Sequence, residues 1–287
     1  MLFFEDFYYT AGQDFVYRRL MTQNSKLYRF FKPPQAGDSS KVIVQYRLGV
    51  KVFTPIDIEQ TVPKYIDRPY AGWDYANITL SNFPSPHISN QYQFEIGLTG
   101  PSSGGEELQK YIHKITSYDR PKGWRYQIQN EVVVNAYYSR YYNWRLGQDA
   151  DLVSQSAVQA GTGSNMISQD FTFRLVEFND LENSVFTNSR LSWDDRRRGK
   201  ERKKEFFLFA GTGVRYVLTN IFMEGSLFPG NPSPLTAPVE PWVIQTKYGM
   251  MFSQHNISWS LTLFHVSKEI QAGTPHDYAS ASLAVRF

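Results

Sequence analysis

Gln109 and His113 are the residues of this chain whose types and spacing point most directly to chemistry. They stand four apart in Gly105-Glu106-Glu107-Leu108-Gln109-Lys110-Tyr111-Ile112-His113, so on a helix their side chains are neighbours. An imidazole titrates near neutral pH and can act as a general base, and an amide beside it can orient it. The competing reading is an exposed helix whose histidine does nothing. The helix itself is well signalled. Leu108, Tyr111, Ile112 and Ile115 fall at i, i+3, i+4 and i+7 and form one apolar face. Glu106, Gln109, Lys110 and His113 repeat the spacing on another face. Ser103 or Gly104 can cap its start, and Glu106 and Glu107 suit the positive end of the helix dipole.

The elements around this helix are patterned in twos. In 41–53, Val42, Val44, Tyr46, Leu48, Val50 and Val52 share one face, and Gln45, Arg47, Gly49 and Lys51 share the other. Segment 91–99 repeats this, with Tyr92, Phe94, Ile96 and Leu98 opposite Gln91, Gln93, Glu95, Gly97 and Thr99. Further candidate strands are 10–20, 70–80, 126–138, 150–160, 168–178, 205–219, 242–253, 257–266 and 278–287, eleven in all. Long strands with charges on one side suit membrane-spanning strands of roughly 9–11 residues. Tyr, Phe and Trp make up 16% of the chain, yet mean hydropathy is −0.43. No apolar run approaches the ~18 residues of a membrane helix. Aromatic richness with a polar average fits an antiparallel transmembrane β-barrel, with a soluble all-β protein as the competing reading. An even strand count asks for about twelve, with the first lost before or within residues 1–7.

Connections alternate in length. Segments 83–90 and 141–147 are short, whereas 54–69, 100–124 and 222–241 are long. Tyr141, Tyr142 and Trp144 at a short turn read as an interfacial aromatic girdle. If the loop 100–124 is extracellular, alternation places 161–164 outside and 179–205 inside. The basic run from Arg196 to Lys204 is then an inward-side turn rather than a head-group site. The chain ends Ala279, Ala281, Leu283, Val285, Phe287 in alternation, which resembles the C-terminal strand of bacterial outer-membrane proteins. The start, Met1-Leu2-Phe3-Phe4-Glu5-Asp6, does not read as a signal peptide, so the sequence is expected to be a processed form or to begin late. With no cysteine, disulfides and thiolate metal sites are excluded. A net charge of +3 gives no case for nucleic acid.

Three groups of residues carry a family resemblance. Tyr9-Thr10-Ala11-Gly12 is the first, and Asp67-Arg68-Pro69-Tyr70-Ala71-Gly72-Trp73 the second. The third runs from Ile96-Gly97 and Gly100-Pro101 through Gly105-Glu106, Gln109 and His113 to Pro121, Gly123-Trp124, Gln127 and Asn130. Together they resemble the outer-membrane lipid A 3′-O-deacylase family (LpxR-like). The resemblance implies a single barrel domain over 1–287, of about twelve strands, with a short helix in an extracellular loop. It implies a calcium-dependent ester hydrolase acting on the 3′-linked acyloxyacyl chain of lipid A in lipopolysaccharide, in the outer-membrane bilayer; the chain is expected to be a monomer.

Residue by residue, His113 matches the family's base, Gln109 its polar partner and Thr10 the threonine of its YT-G motif. Lys64 is the candidate for a family lysine in the second long loop, with lumen-facing Lys51 weaker. Asp119 is the candidate for a family glutamate. Asp6 and Glu5 are the candidate metal ligands, although the family's Asn-Asp element is otherwise absent upstream of Tyr9. Asp67 and Arg68 read as structural, fixing the start of a strand, and Gly72 as a point of close backbone approach. His87, His265 and His276 carry weaker signals, with only His276 placed where a last long loop could bring it near the site. The alternatives are a non-catalytic barrel, either a pore or a structural relative, and a phospholipase using Ser164.

Overall fold

The computed structural model describes residues 8–9, 11–33, 41–61, 67–117, 120–191 and 204–287. Eleven strands form one antiparallel sheet in sequence order. They are β1 (Ala11–Leu20), β2 (Val42–Phe53), β3 (Ala71–Ser85), β4 (Ile88–Thr99), β5 (Glu131–Arg145), β6 (Ala150–Gly161), β7 (Ser164–Glu177), β8 (Lys204–Asn220), β9 (Trp242–Gln254), β10 (Ile257–Val266) and β11 (His276–Val285). The sheet curls until its edges meet. Tyr9, just before β1, lies 5.0 Å from Tyr278 of β11, and Tyr17 lies 6.5 Å from Phe287, ring centre to ring centre. Three helices are added: α1 (Lys26–Phe31), α2 (Gly105–Thr116) and α3 (Ile221–Glu224).

Strict alternation decides which residues face outward. Tyr46, Leu48, Phe94, Ile96, Val132, Val134 and Ile167 are exposed and form an apolar outer belt. Their neighbours along the strands turn into the lumen and pair there. Arg47 meets Asp14 at 3.4 Å, and Tyr75 donates its hydroxyl to Asp14. Glu95 accepts from Tyr137 at 2.7 Å and from Asn135 at 3.0 Å. Lys247 approaches Asp170 at 3.8 Å. Lys51 stacks its ammonium over Trp73 and Tyr75, as its period placed it.

The end carrying α2 is called upper here, and the end holding Phe287 lower. At the lower end, residues 178–191 fold across the lumen in two short 3-10 turns, Leu181–Asn183 and Val185–Thr187. Phe178, Val185 and Phe186 pack there on inward-facing Phe207, Phe209 and Met251. Arg174 and Asp151, both fully buried, join through two hydrogen bonds of 2.9 and 2.6 Å. The Arg174 guanidinium also lies over Phe178. Glu205 accepts the backbone N–H groups of Asn179 and Val185. The segment therefore stoppers the lower mouth.

Two details depart from the sequence reading. Strand β5 begins at Glu131 rather than near Tyr126, because Trp124–Tyr126 forms a 3-10 turn. Of the aromatic trio, Tyr142 and Trp144 are exposed on the outer face, whereas Tyr141 alternates inward and meets Phe186 edge-on at 6.5 Å. Residues 192–203, with most of the basic run, lie outside the described residues; their flanks, Leu191 and Lys204, are at the lower end.

Candidate functional site

The long loop between β4 and β5 is pinched at its base. Gly100 has φ +86°, and a Cβ there would lie 2.5 Å from the Asn130 nitrogen. The Asn130 side chain accepts from the Ser102 N–H at 2.8 Å. Gly104 then opens α2, while the Ser103 hydroxyl donates to the Gly100 carbonyl and accepts weakly from the Gly105 N–H at 3.4 Å.

The helix lies on the outer wall. Leu108 packs with Val52, Tyr70, Trp124 and Ala11, and Val52 shares the outward face of β2 with Leu48. Contact is closest at Gly72 and Gly105. A Cβ on Gly105 would sit 2.7 Å from the Gly72 Cα, and one on Gly72 would sit 2.1 Å from the Ser103 hydroxyl. The Gly72 of the second motif thus gives the close approach expected of it. Gly105→Ala should cost the docked helix about 1–3 kcal/mol through overpacking. The undocked population then rises roughly 5- to 150-fold, which limited trypsin digestion after Lys110 and Lys114 measures. An unchanged cleavage rate, with the barrel intact, would contradict this packing.

The face that docks mixes apolar Leu108 with polar Gln109 and His113. Gln109 is 0% exposed and His113 2%, whereas Tyr111 and Ile115 are 62% and 63% exposed. The apolar stripe therefore splits, with half of it turned outward. The physical reason is the surroundings: beside an apolar outer wall, exposed Tyr111 and Ile115 need not meet water, and polar side chains gain by turning to the protein.

Gln109 has a fixed orientation. Trp124 Nε1 donates to its Oε1 at 2.8 Å. Because an indole N–H only donates, the amide oxygen must be the atom it meets. The amide nitrogen of Gln109 is left buried with no hydrogen-bond partner among the described residues. Trp124 is itself 1% exposed and meets the Tyr70 ring at a tilt, 4.9 Å between ring centres. The sequence marked Trp124 only as part of a motif. Its role needed the fold, because its partner lies fifteen residues away on another element.

The other expected site residues fall differently. Thr10, Lys64, Asp119, Asp6 and Glu5 all lie outside the described residues. Two of their described neighbours make contacts near α2. Ala11, next to Thr10, packs with Leu108. Thr61, at one side of the loop that carries Lys64, accepts at its carbonyl from Arg125 at 3.2 Å. Calcium takes six to eight oxygen ligands, but among the described residues no group of three or more acidic or histidine side chains is gathered to hold a metal.

A second buried cluster braces the upper rim. Asp67 accepts from the Ile56 N–H at 2.9 Å, and Arg68, 3% exposed, pairs with Glu269 at 2.8 Å. His276 lies 4.0 Å from Glu269 and edge-on to Tyr8 at 5.1 Å. Burial pushes the Glu269 carboxyl up, but Arg68 and then His276 outweigh it and hold it below its ordinary value. The Tyr8 hydroxyl, raised mainly by burial, accepts from the Thr274 N–H at 2.9 Å. Asp67 and Arg68 are thus structural, tying three rim segments together. His87 bonds Asn143 at the lower end, and exposed His265 bonds Asp277. The Ser164 hydroxyl accepts from the Gln159 amide, and among the described residues it donates to no histidine that could act as its base.

The sequence model of the outer membrane protein LpxR family matches residues 1–287. The chain belongs to the LpxR family. This is a family of outer-membrane lipid A 3′-O-deacylases, and membership places the chain in the outer membrane. Among solved structures it is similar to LpxR from Salmonella typhimurium, at TM-score 0.75 and 17% identity, over 98% of this chain and 90% of that one. At that identity the likeness speaks for the fold: the curled antiparallel sheet is the LpxR barrel architecture. No curated protein sequence matches the chain.

Proposed function

We propose that this chain is a lipid A deacylase that hydrolyses the 3′-linked acyloxyacyl ester at the upper, outward-facing end of the barrel. The observation that carries this reading is the burial of Gln109 and His113 together on the docked face of α2, against the outer wall, in a chain of the LpxR family. His113 takes a proton from water, and the hydroxide attacks the ester carbonyl. The Gln109 amide nitrogen, aimed by Trp124, donates to the carbonyl oxygen as negative charge develops there. Collapse of the tetrahedral intermediate breaks the bond to the sugar oxygen, which leaves with the proton held by His113. Calcium, Thr10, Lys64 and Asp119 enter through the resemblance alone, and Asp6 and Glu5 are its candidate ligands.

The filled lumen supports an enzyme over a pore. Ion pairs between nearby strands line it, and the 178–191 segment stoppers its lower mouth. The test is mass spectrometry of lipid A incubated with the purified protein in detergent, with calcium or with chelator. Loss of the 3′ acyloxyacyl mass is expected; intact lipid A under both conditions would overturn the assignment.

Trp124→Phe probes the amide. It keeps an aromatic ring against Tyr70 and removes the donor. A single oxyanion donor is worth roughly 10²–10³ in kcat, so a loosened one should cost about tenfold in kcat with KM little changed. A loss confined to KM would instead make Trp124 part of substrate binding.

A further inference from the structure

Helix α1 belongs to the lower end of the barrel, across the membrane from the site. Ser25 caps it, accepting from the Tyr28 N–H at 3.0 Å. It lies on the outside of the wall. Tyr28, 3% exposed, and Phe31 pack on Val42, Val44, Leu80 and Ile78, which are outward residues of β2 and β3. Phe31 also reaches Tyr92 of β4 at 5.3 Å.

Its height on the wall is marked by a change in chemistry. Above it run the exposed apolar residues Tyr46, Leu48, Phe94 and Ile96. Level with it, the outer face turns polar. Asn82 donates to the Phe31 carbonyl at 2.7 Å and accepts from Asn90 at 3.0 Å, and Asn90 accepts from Tyr138 and Arg140. The helix is therefore strapped along the line where the apolar belt ends.

The rest of its surface is not what a water-bathed helix shows. Leu27 is 54% and Phe30 80% exposed, and they are three apart, on one flank. Lys26 and Arg29, also three apart and exposed, occupy the next flank. Bulky apolar groups beside basic ones, on a short helix at the end of the apolar belt, are the pattern of an interfacial helix. We propose that α1 is an in-plane anchor in the lower leaflet. Leu27 and Phe30 insert between acyl chains, and Lys26 and Arg29 bind the phosphates of anionic phospholipids. The occupant is argued from continuity with the apolar belt and from the charge of the adjacent flank. It does not depend on the enzymatic reading.

The chain has no cysteine, so single labels are clean. Phe30→Cys, Leu27→Cys and, as an exposed reference in the same connection, Thr22→Cys would carry an environment-sensitive fluorophore. The full protein would be refolded into vesicles of phosphatidylethanolamine and phosphatidylglycerol, with folding checked by heat-modifiable gel migration. Labels at 27 and 30 are expected to shift to the blue and to be quenched by lipids brominated near the upper acyl chain, with no such change at 22. Replacing phosphatidylglycerol by phosphatidylcholine should weaken the quenching, and K26E/R29E should abolish that lipid dependence. Water-like emission at 30 would overturn the proposal. So would a blue shift that brominated lipid does not quench, which would indicate contact between copies of the protein. Quenching indifferent to lipid charge would overturn the headgroup part.

Discussion

Replacing His113 by alanine should lower ester cleavage by roughly 10²–10⁴, the usual contribution of a general base. The barrel should remain folded. His113 lies on an added loop helix, not in the sheet, and the eleven-stranded ladder does not pass through it. Its loss leaves a small gap between α2 and the wall, while the glycine contact at Gly72 and Gly105 still seats the helix. The measurement is the rate of 3′-acyl loss from lipid A by mass spectrometry, beside heat-modifiable migration of the same sample. Activity within a few-fold of the parent would sink the assignment of the base. If activity falls and migration also changes, His113→Gln separates the two causes, because it keeps a polar side chain of similar bulk. A folded, inactive glutamine variant supports the base.

The largest effect on stability is expected at Arg174. Arg174→Ala leaves the Asp151 carboxylate fully buried with Asn143 as its remaining side-chain donor, at 2.8 Å. Removing one partner of a buried ion pair typically costs about 3–5 kcal/mol. The guanidinium also lies over Phe178, Phe186 and Phe207, so the lower stopper loses packing as well as charge. Urea unfolding in lipid vesicles should show the midpoint falling by that free energy. Proteolysis within 178–191 should rise. The double variant R174L/D151L should be less damaged than R174A, because no unpaired charge is left behind. A single variant within about 1 kcal/mol of the parent would mean that water already reaches this pair.

The strands were the most legible part of the sequence. Where one face meets lipid and the other a polar lumen, the period of two is sharp, as between Val42 and Val52. The existence of α2 was equally legible from its spacing, but its docked face was not. Assigning the apolar stripe to the interior assumes water outside, and Tyr111 and Ile115 break that assumption. Helix α1 left no periodic trace, since six residues are too few to show one. The stopper was invisible because it is held from afar, by Glu205 on the Asn179 and Val185 N–H groups and by Lys41 on the Glu182 carbonyl. At the site, the sequence paired Gln109 with His113 as neighbours but could not orient the amide. Its orientation comes from Trp124, beyond a turn with no regular period.

The position of α2 outside the wall has a kinetic consequence. A substrate anchored in the leaflet would reach the Gln109–His113 face by sideways diffusion, without leaving its own two-dimensional phase. Encounter frequency would then follow the mole fraction of lipid A among the surrounding amphiphiles, and bulk molarity would enter only through that ratio. Adding inert detergent at constant substrate would slow turnover by dilution within the surface, so rate constants from different micelle compositions become comparable only once expressed on that scale.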